Sequence, residues 1–361
     1  MKITRVLISG GGTGGHIFPA IAIAKEIEHR NPNSIIEFVG AIDRMEMEKI
    51  PAAGYKIHGI WITGFQRKLS LKNLLFPLKV ISSLYVCFKI LKKFKPHIVI
   101  GTGGFASGPL LQVASWLGLP TLIQEQNSYA GITNKILGEK VNSICLGFEN
   151  AQKYFPTEKC TFTGNPIRQS ILNLPSRLSS LKALNLDISK KTLLVVGGSL
   201  GAKTINMAID SLMDKLEQNH IQLIWQTGKN YTPIHAPIFG SVSPFIDNME
   251  QVYAAADLII SRAGAIAISE LCVVGKPIIL VPSPNVSEDH QTKNALALVN
   301  VNAALMVKDH EAASDLWIAI QTLLNDQALA DEFANNIVAL AKPNATISIV
   351  DEVEKLLNLN E

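Results

Sequence analysis

The sequence predicts an α/β protein made of two Rossmann-like domains, each built on a parallel sheet. The chain has 361 residues, more than one hydrophobic core usually supports. Hydrophobic residues make up 47% and charged residues 17%, which favours strands buried on both faces. Short β-branched runs alternate with amphipathic stretches along nearly the whole chain, as in stacked βα units.

The predicted strands form two similar series. In the first half they are RVLIS, IIEFV, HIVIG, TLIQ and SICLG. In the second half they are TLLVVGG, IQLIWQ, DLIIS, PIILVP and AALMV. Each half opens with a strand, a glycine-rich turn and a helix, a weak internal duplication. Gly164-Asn165-Pro166 and the polar stretch up to Lys191 predict the linker, and the carboxyl ends of both sheets are then expected on opposite walls of one cleft.

The charge is unevenly distributed. Residues 1–160 carry 19 Lys and Arg against 10 Asp and Glu, whereas residues 161–361 carry 14 against 20. Between Glu48 and Glu125 there is no acidic residue and there are ten basic ones. Such asymmetry is typical of a surface that meets a polyanion, either nucleic acid or an anionic membrane.

The cysteines and the apolar runs exclude several classes. The four cysteines lie far apart without a CxxC pair, so they indicate reduced thiols and neither a disulfide framework nor a zinc site. The apolar stretch at the N-terminus is too short for a signal peptide, and no run approaches the ~18 apolar residues of a spanning helix. A cytosolic or peripheral protein is expected.

The first glycine loop, Gly10 to Gly15, matches GxGxxG between a strand and a helix. An NAD-binding domain also needs an acidic residue at the end of the second strand, and that strand ends Phe38-Val39-Gly40. A tight turn is the plain interpretation. Phosphate binding by backbone N–H groups at the helix N-terminus is favoured over packing alone.

Two further glycine loops follow strands, at Gly101–Pro109 and Gly197–Ala202. The latter continues into Lys203-Thr204 and nearly matches a P-loop. Ala202 replaces the glycine before the lysine, which disfavours an ATPase. Three such loops suggest two diphosphate ligands, such as a nucleotide sugar and a lipid diphosphate.

Polar clusters follow other strands, at Gln124–Asn127, Arg262–Glu270 and Asp289–Gln291. Glu270 is either a solvated helix carboxylate or an acceptor for two ribose hydroxyls. His16 alone would more often be a histidine bonded to backbone at a helix start. Spacing leaves function and structure equally open for Glu125 and His290.

Several segments together resemble the signatures of the MurG family of N-acetylglucosaminyltransferases. In order they are GGGTGGHIFPAIAIA, GTGGFASGP, EQNSYAGITNK, TGNPIR, GGSLGA, PFIDNM, SRAGAIAISE and EDHQTKNA. The match runs from about Val6 to Leu298 with sensible spacing. It implies the GT-B fold, with an acceptor domain of residues 1–164 plus the C-terminal helix 344–361, and a donor domain of residues 165–343.

The resemblance implies a binding site for UDP-N-acetylglucosamine (UDP-GlcNAc). Ile246 would offer its backbone to uracil, and Glu270 would hold the ribose. Ser199 and Arg168 would face the diphosphate. The sugar would be framed by Ala265, Ile266 and Gln291, with Asn127 from the other wall; Ser269 belongs to the same donor segment, and the loop Thr13-Gly14-Gly15 would close over the donor.

The implied reaction is a single inverting displacement onto the 4-hydroxyl of the lipid-linked muramoyl-pentapeptide, which needs a base beside that hydroxyl. His16 is the first candidate and Glu125 the second. Gln124 and Phe105 stand where many members have His and Tyr, so neither position is expected to transfer protons. Arg168, the third loop and helix dipoles can stabilise the leaving UDP. No tightly bound cofactor is therefore expected, and a divalent cation is compatible with the sequence but not required by it.

Membrane binding is expected through Trp61–Lys95. Leu78, Ile81, Leu84, Tyr85, Phe88 and Leu91 recur at helical spacing, and most of them are expected in the core. An exposed patch is predicted just upstream, with Leu74, Leu75 and Phe76 beside the basic residues Lys72 and Lys79. The protein is therefore expected on the cytoplasmic face of the cell membrane, with other cell-wall synthesis proteins as candidate partners.

Three rival functions remain open at this stage. One is a glycolipid glycosyltransferase of the same fold that acts on diacylglycerol. Another is a non-catalytic membrane scaffold that binds nucleotide sugar, against which the complete polar set argues. The third is nucleic-acid binding, which lacks aromatic residues interleaved with the basic ones and is not expected.

Overall fold

The computed structural model of the protein describes residues 4–64, 75–198 and 201–358. Contacts divide the chain into two units, Met1–Ile167 with Asn344–Glu361 and Arg168–Pro343. Among the described residues each unit has one sheet, and all of its strand pairs are parallel. The predicted fold class, two Rossmann-like domains of parallel βα units, is confirmed.

The strands of the first unit are β1 (Arg5–Gly10), β2 (Ile35–Ala41), β3 (Lys56–Ile60), β4 (Ile98–Gly103), β5 (Thr121–Glu125), β6 (Ser143–Leu146) and β7 (Cys160–Phe162). Their order is β3-β2-β1-β4-β5-β6-β7. The helices are α1 (Gly14–Arg30), α2 (Glu46–Ala52), α3 (Phe76–Phe94), α4 (Ser107–Trp116) and α5 (Ile132–Gly138), with 3-10 turns at Glu149–Tyr154 and Thr157–Lys159.

The strands of the second unit are β8 (Thr192–Val196), β9 (Gln222–Gln226), β10 (Gly240–Ser243), β11 (Leu258–Ser261), β12 (Ile278–Leu280) and β13 (Leu305–Met306), in the order β10-β9-β8-β11-β12-β13. Its helices are α6 (Arg177–Ala183), α7 (Lys203–Ser211), α8 (Met213–Gln218), α9 (Met249–Ala255), α10 (Ala265–Val274), α11 (His290–Val299), α12 (Ala312–Asn325) and α13 (Gln327–Ala339). Turns of 3-10 helix lie at Gln169–Leu172, Ser287–Asp289 and Asp309–Glu311.

The ten predicted strands are present, and the structure adds β3, β7 and β10. Each added strand lies at the edge of its sheet. An edge strand is covered less than a central one, so its residues need not form a hydrophobic run. The segment KIHGI of β3, for example, is mostly half-buried.

Apolar side chains cover both faces of the first sheet. Leu7, Val99 and Ile123 point to a core shared with α3, α4 and α5, whereas Val6, Ile8 and Ile100 point to a core shared with α1. The last helix, α14 (Ala345–Asn358), adds Ile349, Val350, Val353 and Leu356 to this second core. The end of the chain therefore completes the first unit.

An ion-pair network holds α14 on α1. Arg30 donates to Asp351 at 2.8 Å and to Glu354 at 3.0 Å, and it also donates to the carbonyl of Ile347 at 3.0 Å. The carboxylates are about half exposed, so each pair contributes little stability by itself. Most of the stabilisation by α14 must come from its buried apolar face.

Truncation of this apolar face should destabilise the first unit. Ile349 is fully buried, so Ile349→Ala should lower the free energy of unfolding by about 2 to 5 kcal/mol, measured by urea denaturation. Ile347, on the same helix and 44% exposed, gives the matched control Ile347→Ala. Equal denaturation midpoints for the two variants would show that α14 is not needed for the core.

Candidate functional site

The polar loops lie where the strand order of each sheet reverses. In the first sheet β1 lies between β2 and β4, and in the second β8 lies between β9 and β11. Open parallel sheets bind ligands outside the carboxyl ends of strands at such a point. The loops that follow β1 and β4 in the first unit, and β8 and β11 in the second, are therefore the places to look for functional residues.

The first glycine loop joins β1 to α1. Gly11 N–H donates to Gly103 O at 3.3 Å, and Gly12 N–H donates to the Glu46 carboxylate at 2.8 Å. These two amides are therefore already engaged. The N–H groups of Thr13, Gly14 and Gly15 could bind an anion instead, because the first N–H groups of a helix have no intrahelical acceptors.

His16 lies in the first turn of α1 and is half-buried. Its Nδ1 lies 2.8 Å from the carbonyl oxygen of Gly11. Since a carbonyl can only accept, Nδ1 donates, and in the neutral ring Nε2 carries the lone pair. This is the tautomer that a general base needs if Nε2 faces the reacting hydroxyl.

The second glycine loop packs on the first. Gly103 and Gly104 have φ values of +104° and +88°, which favour glycine. A Cβ on Gly103 would lie 2.9 Å from His16 Nε2, and one on Gly104 would lie 2.4 Å from Gly11 O. The two glycines therefore let the second loop approach the His16 ring and the Gly11 peptide closely. This packing role is separate from the phosphate binding predicted for glycine loops.

Glu125 ends β5 and is buried, and four donors contact its carboxylate. Oε1 accepts from the backbone and side-chain amides of Asn127 at 3.0 and 3.3 Å. Oε2 accepts from Gly131 N–H at 3.1 Å and from Asn134 at 2.8 Å. The carboxylate thus holds the loop that carries Asn127.

A buried amide network lies beside Glu125. Gln124 donates to Asn165 at 2.9 Å, and Asn165 donates to the carbonyl of Gln126 at 3.0 Å. Gln126 donates to the carbonyl of Thr102 at 2.8 Å and to the Gln124 side chain. Gln124 therefore serves as a link between β5 and the stretch before the unit boundary.

In the second unit Arg168 and Glu270 form a bidentate ion pair. Glu270 lies in α10 and is 3% exposed, and Arg168 Nε and Nη2 donate to its two oxygens at 2.7 and 2.6 Å. This bonding raises the pKa of Arg168. Tyr253, also buried, is hydrogen-bonded to Glu270, and burial followed by the Glu270 charge raises its pKa.

The family resemblance implied that Glu270 and Arg168 face different parts of the donor, and the structure brings the two side chains into direct contact. An ionised carboxylate has about four lone-pair positions, so the two N–H bonds from Arg168 and the hydrogen bond of Tyr253 leave about one for a further donor. Arg168 compensates the buried negative charge of Glu270 in this structure.

Gln226, at the end of β9, links two predicted donor segments. Its Nε2 donates to the carbonyl of Gly198 at 3.0 Å, and its Oε1 accepts from Ile246 N–H at 2.9 Å. A uracil that takes the Ile246 N–H must therefore displace Gln226. Ser199 lies outside the described residues.

The remaining predicted donor residues of the second unit lie in α10 and α11. Ala265 is buried and Ile266 half-buried, and Ser269 donates to the carbonyl of Ala265 at 3.0 Å. Gln291, in α11, accepts from Ser283 N–H at 2.8 Å and so holds the loop after β12. The side chains of Ser269 and Gln291 thus form hydrogen bonds with the backbone and help to fix its conformation.

Arg262 begins one of the predicted polar clusters, and its side chain connects several loops of the second unit. It donates to the carbonyls of Val281 and Pro282 at 3.0 and 3.1 Å and pairs with Asp309. Thr204 also donates to Asp309, at 2.9 Å. Through Asp309 the arginine connects the loops after β11 and β12 to α7. In the sequence, the only sign of this role is that Arg262 directly follows a predicted strand.

The exposed face of α3 corrects one expectation. Most of the six apolar residues of this stripe were expected in the core, but four of them are exposed: Leu78, Ile81, Tyr85 and Phe88. Lys89 lies 4.4 Å from the Tyr85 ring centroid and Lys92 lies 5.7 Å from that of Phe88. Helical spacing revealed the stripe but not which face was covered.

The predicted patch upstream lies partly outside the described residues, since Lys72 and Leu74 belong to residues 65–74. Leu75 is exposed and Phe76 is half-buried. Lys79 donates to Thr63 at 3.0 Å and lies 5.4 Å from the Trp61 ring centroid. Together with the face of α3 they form an apolar surface with basic side chains.

The described parts of the chain contain neither a candidate metal site nor a membrane-spanning helix. No group of three or more His, Cys, Asp or Glu side chains there could hold a metal ion. Within the same residues no helix is long and apolar enough to cross a bilayer.

Comparison with known families matches both halves of the chain. Residues 6–146 match the N-terminal domain of glycosyltransferase family 28, and residues 192–350 match its C-terminal domain. A crystal structure of MurG from Acinetobacter baumannii superposes with a TM-score of 0.79 at 30% identity, covering 98% of this chain and 99% of that one. A calicheamicin glycosyltransferase, CalG4, has a TM-score of 0.73 at 14% identity and supports the fold alone.

Two curated relatives are similar over nearly their whole length. The Flavobacterium psychrophilum protein is 52% identical over 99% of both chains, and the Christiangramia forsetii protein is 54% identical over 98% of both. Both are named UDP-N-acetylglucosamine--N-acetylmuramyl-(pentapeptide) pyrophosphoryl-undecaprenol N-acetylglucosamine transferase.

The chain therefore belongs to glycosyltransferase family 28, and within it to the MurG group of N-acetylglucosaminyltransferases. It is a hexosyltransferase, as the resemblance implied.

The role of Glu125 in holding its loop can be tested by thermal and urea unfolding. Glu125→Gln replaces an acceptor oxygen with a donor amide against N–H groups, so it should cost about 1 to 3 kcal/mol of stability. The control is Glu139→Gln, an exposed residue directly after α5, the helix whose Asn134 donates to Glu125; it should have little effect. An unchanged stability of Glu125→Gln would contradict the loop-holding role and return the carboxylate to the list of candidate bases.

Proposed function

We propose that this protein transfers N-acetylglucosamine from UDP-GlcNAc to the 4-hydroxyl of undecaprenyl-diphospho-N-acetylmuramoyl-pentapeptide, in peptidoglycan synthesis. The observation that carries the proposal is the match of about 50% identity over the whole chain to relatives named for this transfer. The Rossmann-like sheets and their polar loops supply groups suited to the chemistry.

The first unit supplies the proposed base. Transfer needs a group that accepts the proton of the attacking 4-hydroxyl as its oxygen bonds to the anomeric carbon. His16 fits this role because its Nδ1–H is directed to Gly11 O, so in the neutral ring the lone pair that can accept a proton is on Nε2. Glu125 fits it less well, because both of its oxygens already accept hydrogen bonds that hold the loop.

The second unit is proposed to bind the donor. Glu270 would accept hydrogen bonds from the ribose hydroxyls, and Arg168 would provide positive charge near the diphosphate that leaves with uridine. Ile246 would contact the uracil, and the N-terminus of α10 would present N–H groups to the donor. These groups stabilise the leaving UDP without a resident metal, so no tightly bound cofactor is proposed.

Activity is tested with purified protein, labelled UDP-GlcNAc and the muramoyl-pentapeptide lipid, by looking for the disaccharide lipid and UDP. A parallel reaction offers diacylglycerol as the acceptor. Product from the muramoyl lipid alone supports the proposal. Product from diacylglycerol alone would identify the rival glycolipid transferase, and binding of UDP-GlcNAc without turnover would identify a scaffold.

Removal of the Glu270 carboxylate should weaken donor use. Hydrogen bonds to a charged group are each worth about 1.5 to 3 kcal/mol, so Glu270→Ala should raise the donor KM by the equivalent of ~2 to 4 kcal/mol. Glu332→Ala, at an exposed site on α13, should leave the KM unchanged. A normal donor KM for Glu270→Ala would remove this residue from the ribose site.

Loss of the proposed base should affect turnover and not donor affinity. His16→Ala should lower kcat by about 10² to 10⁴ with little change in the donor KM, because a general base acts in the transition state. Steady-state kinetics at saturating acceptor measures both constants. A kcat close to that of the unaltered enzyme would mean that His16 is structural.

Peripheral membrane attachment is proposed for the apolar and basic surface on α3. Each basic side chain near an anionic leaflet contributes ~1 kcal/mol, so co-sedimentation with anionic vesicles should decrease as salt rises. Leu78→Ser with Ile81→Ser should reduce it further, whereas Ile318→Ser, at a similarly exposed site of the second unit, should not. Equal binding by all three proteins would assign attachment to another surface.

A further inference from the structure

Glu46 is a buried carboxylate to which the reaction outlined above gives no role. It begins α2 and is 1% exposed. Burial of a carboxylate is costly unless its charge is compensated by hydrogen bonds or a cation. Oε2 accepts from Gly12 N–H at 2.8 Å, and Oε1 accepts from Ala41 N–H at 3.0 Å. Backbone amides thus hold this charge beside the first glycine loop.

The Gly12 N–H belongs to the same peptide group as the Gly11 carbonyl. A trans peptide is planar, and its N–H and C=O point in opposite directions. Glu46 accepts from one end of this group, and His16 Nδ1 donates to the other end at 2.8 Å. A carboxylate, a peptide and an imidazole therefore form one hydrogen-bonded chain, in which each bond polarises the next.

The peptide between two glycines has little intrinsic preference for one orientation, because neither residue has a Cβ that resists rotation. If it flipped, the Gly11 carbonyl would face the Glu46 carboxylate and the Gly12 N–H would face His16 Nδ1. Nδ1 would then have to accept, and the ring proton would move to Nε2. The Glu46 charge disfavours this orientation by repulsion of the carbonyl oxygen.

The surrounding glycines leave space for this arrangement. A Cβ on Gly11 would lie 2.2 Å from Glu46 Oε1, and one on Gly40 would lie 2.6 Å from Glu46 Cγ. A Cβ on Gly104 would lie 2.4 Å from Gly11 O. Glycine at these three positions lets the carboxylate and the second loop enclose the Gly11 peptide from both sides.

We propose that Glu46 is a positioning residue that fixes the Gly11–Gly12 peptide and, through it, the Nδ1–H tautomer of His16. This inference deepens the proposed function and rests on it, since it assumes that His16 Nε2 accepts the proton. Glu46 itself touches neither substrate in this scheme, so its effect on the rate must pass through His16.

The tautomer can be measured without any substrate. In protein labelled with ¹⁵N-histidine, two- and three-bond ¹H–¹⁵N correlations at a pH where the ring is neutral distinguish Nδ1–H from Nε2–H, and His16→Ala identifies the His16 signals. The unaltered protein should show Nδ1–H, and Glu46→Gln should show a shift toward Nε2–H. Nε2–H in the unaltered protein overturns the proposal, even if every Glu46 variant fails to fold.

Kinetics supply the second test. Glu46→Gln should lower kcat by about 10- to 100-fold, a part of the 10² to 10⁴ that a general base contributes, with the donor KM unchanged. Glu48→Gln, on the same helix with an exposed side chain, should behave as the unaltered enzyme. In a His16→Ala background Glu46→Gln should cause no further loss, because the two changes remove the same effect.

The outcomes separate this proposal from the function on which it rests. If the unaltered enzyme forms no disaccharide lipid, or if His16→Ala retains its kcat, the proposed function or its base is wrong, and the tautomer measurement still decides whether Glu46 controls His16. If His16→Ala loses activity while Glu46→Gln retains it, the positioning role is wrong. Equal losses from Glu46→Gln in both backgrounds would also overturn it, since they would indicate a general structural effect.

Discussion

The close approach of two glycine loops is the constraint on which the first unit's site depends. β1 and β4 are neighbours in the sheet, so the turns that follow them must share the space at its carboxyl edge. They fit only because Gly103 and Gly104 lack side chains. The space so created is occupied by the His16 ring and the Gly11 peptide. The abundance of glycine therefore serves backbone packing as well as exposing N–H groups.

The site of the second unit depends on a different constraint, the burial of the Glu270 carboxylate. Glu270 is enclosed by α10 and its neighbours, where an uncompensated carboxylate would be strongly destabilising. Arg168 compensates it with two parallel N–H bonds across 102 positions of sequence. The arginine is half exposed, so a ligand can reach its guanidinium, whereas Glu270 is almost fully buried. In the proposed function a donor hydroxyl would meet a carboxylate that Arg168 already orients.

Supporting residues determine how the site residues can act. Gln226 connects Gly198 to Ile246, and Arg262 connects the loops after β11 and β12 to Asp309. Glu125 has the same kind of role in the first unit, where its oxygens order the loop that carries Asn127. Several polar residues near the proposed ligands are therefore bonded to backbone, and their first function is to maintain loop shape.

Much of this organisation was predictable from the sequence alone. Buried strands in both halves are recognisable as short apolar runs, and the glycine loops follow them directly, because both signals are local. The fold class, the family and the transferase activity are confirmed. The roles of His16 and Glu270 remain predictions that the observed geometry supports.

The tertiary structure decided what local signals do not contain. The edge strands β3, β7 and β10 have weak apolar patterns because they are less covered, and the exposed face of α3 has the same helical spacing as a core face. Glu46 looks in the sequence like an ordinary helix-start carboxylate, and only the sheet brings it to Gly12. Periodicity reports which side chains share a surface along one element. It does not report which other element covers that surface, and contacts between distant segments settle that question.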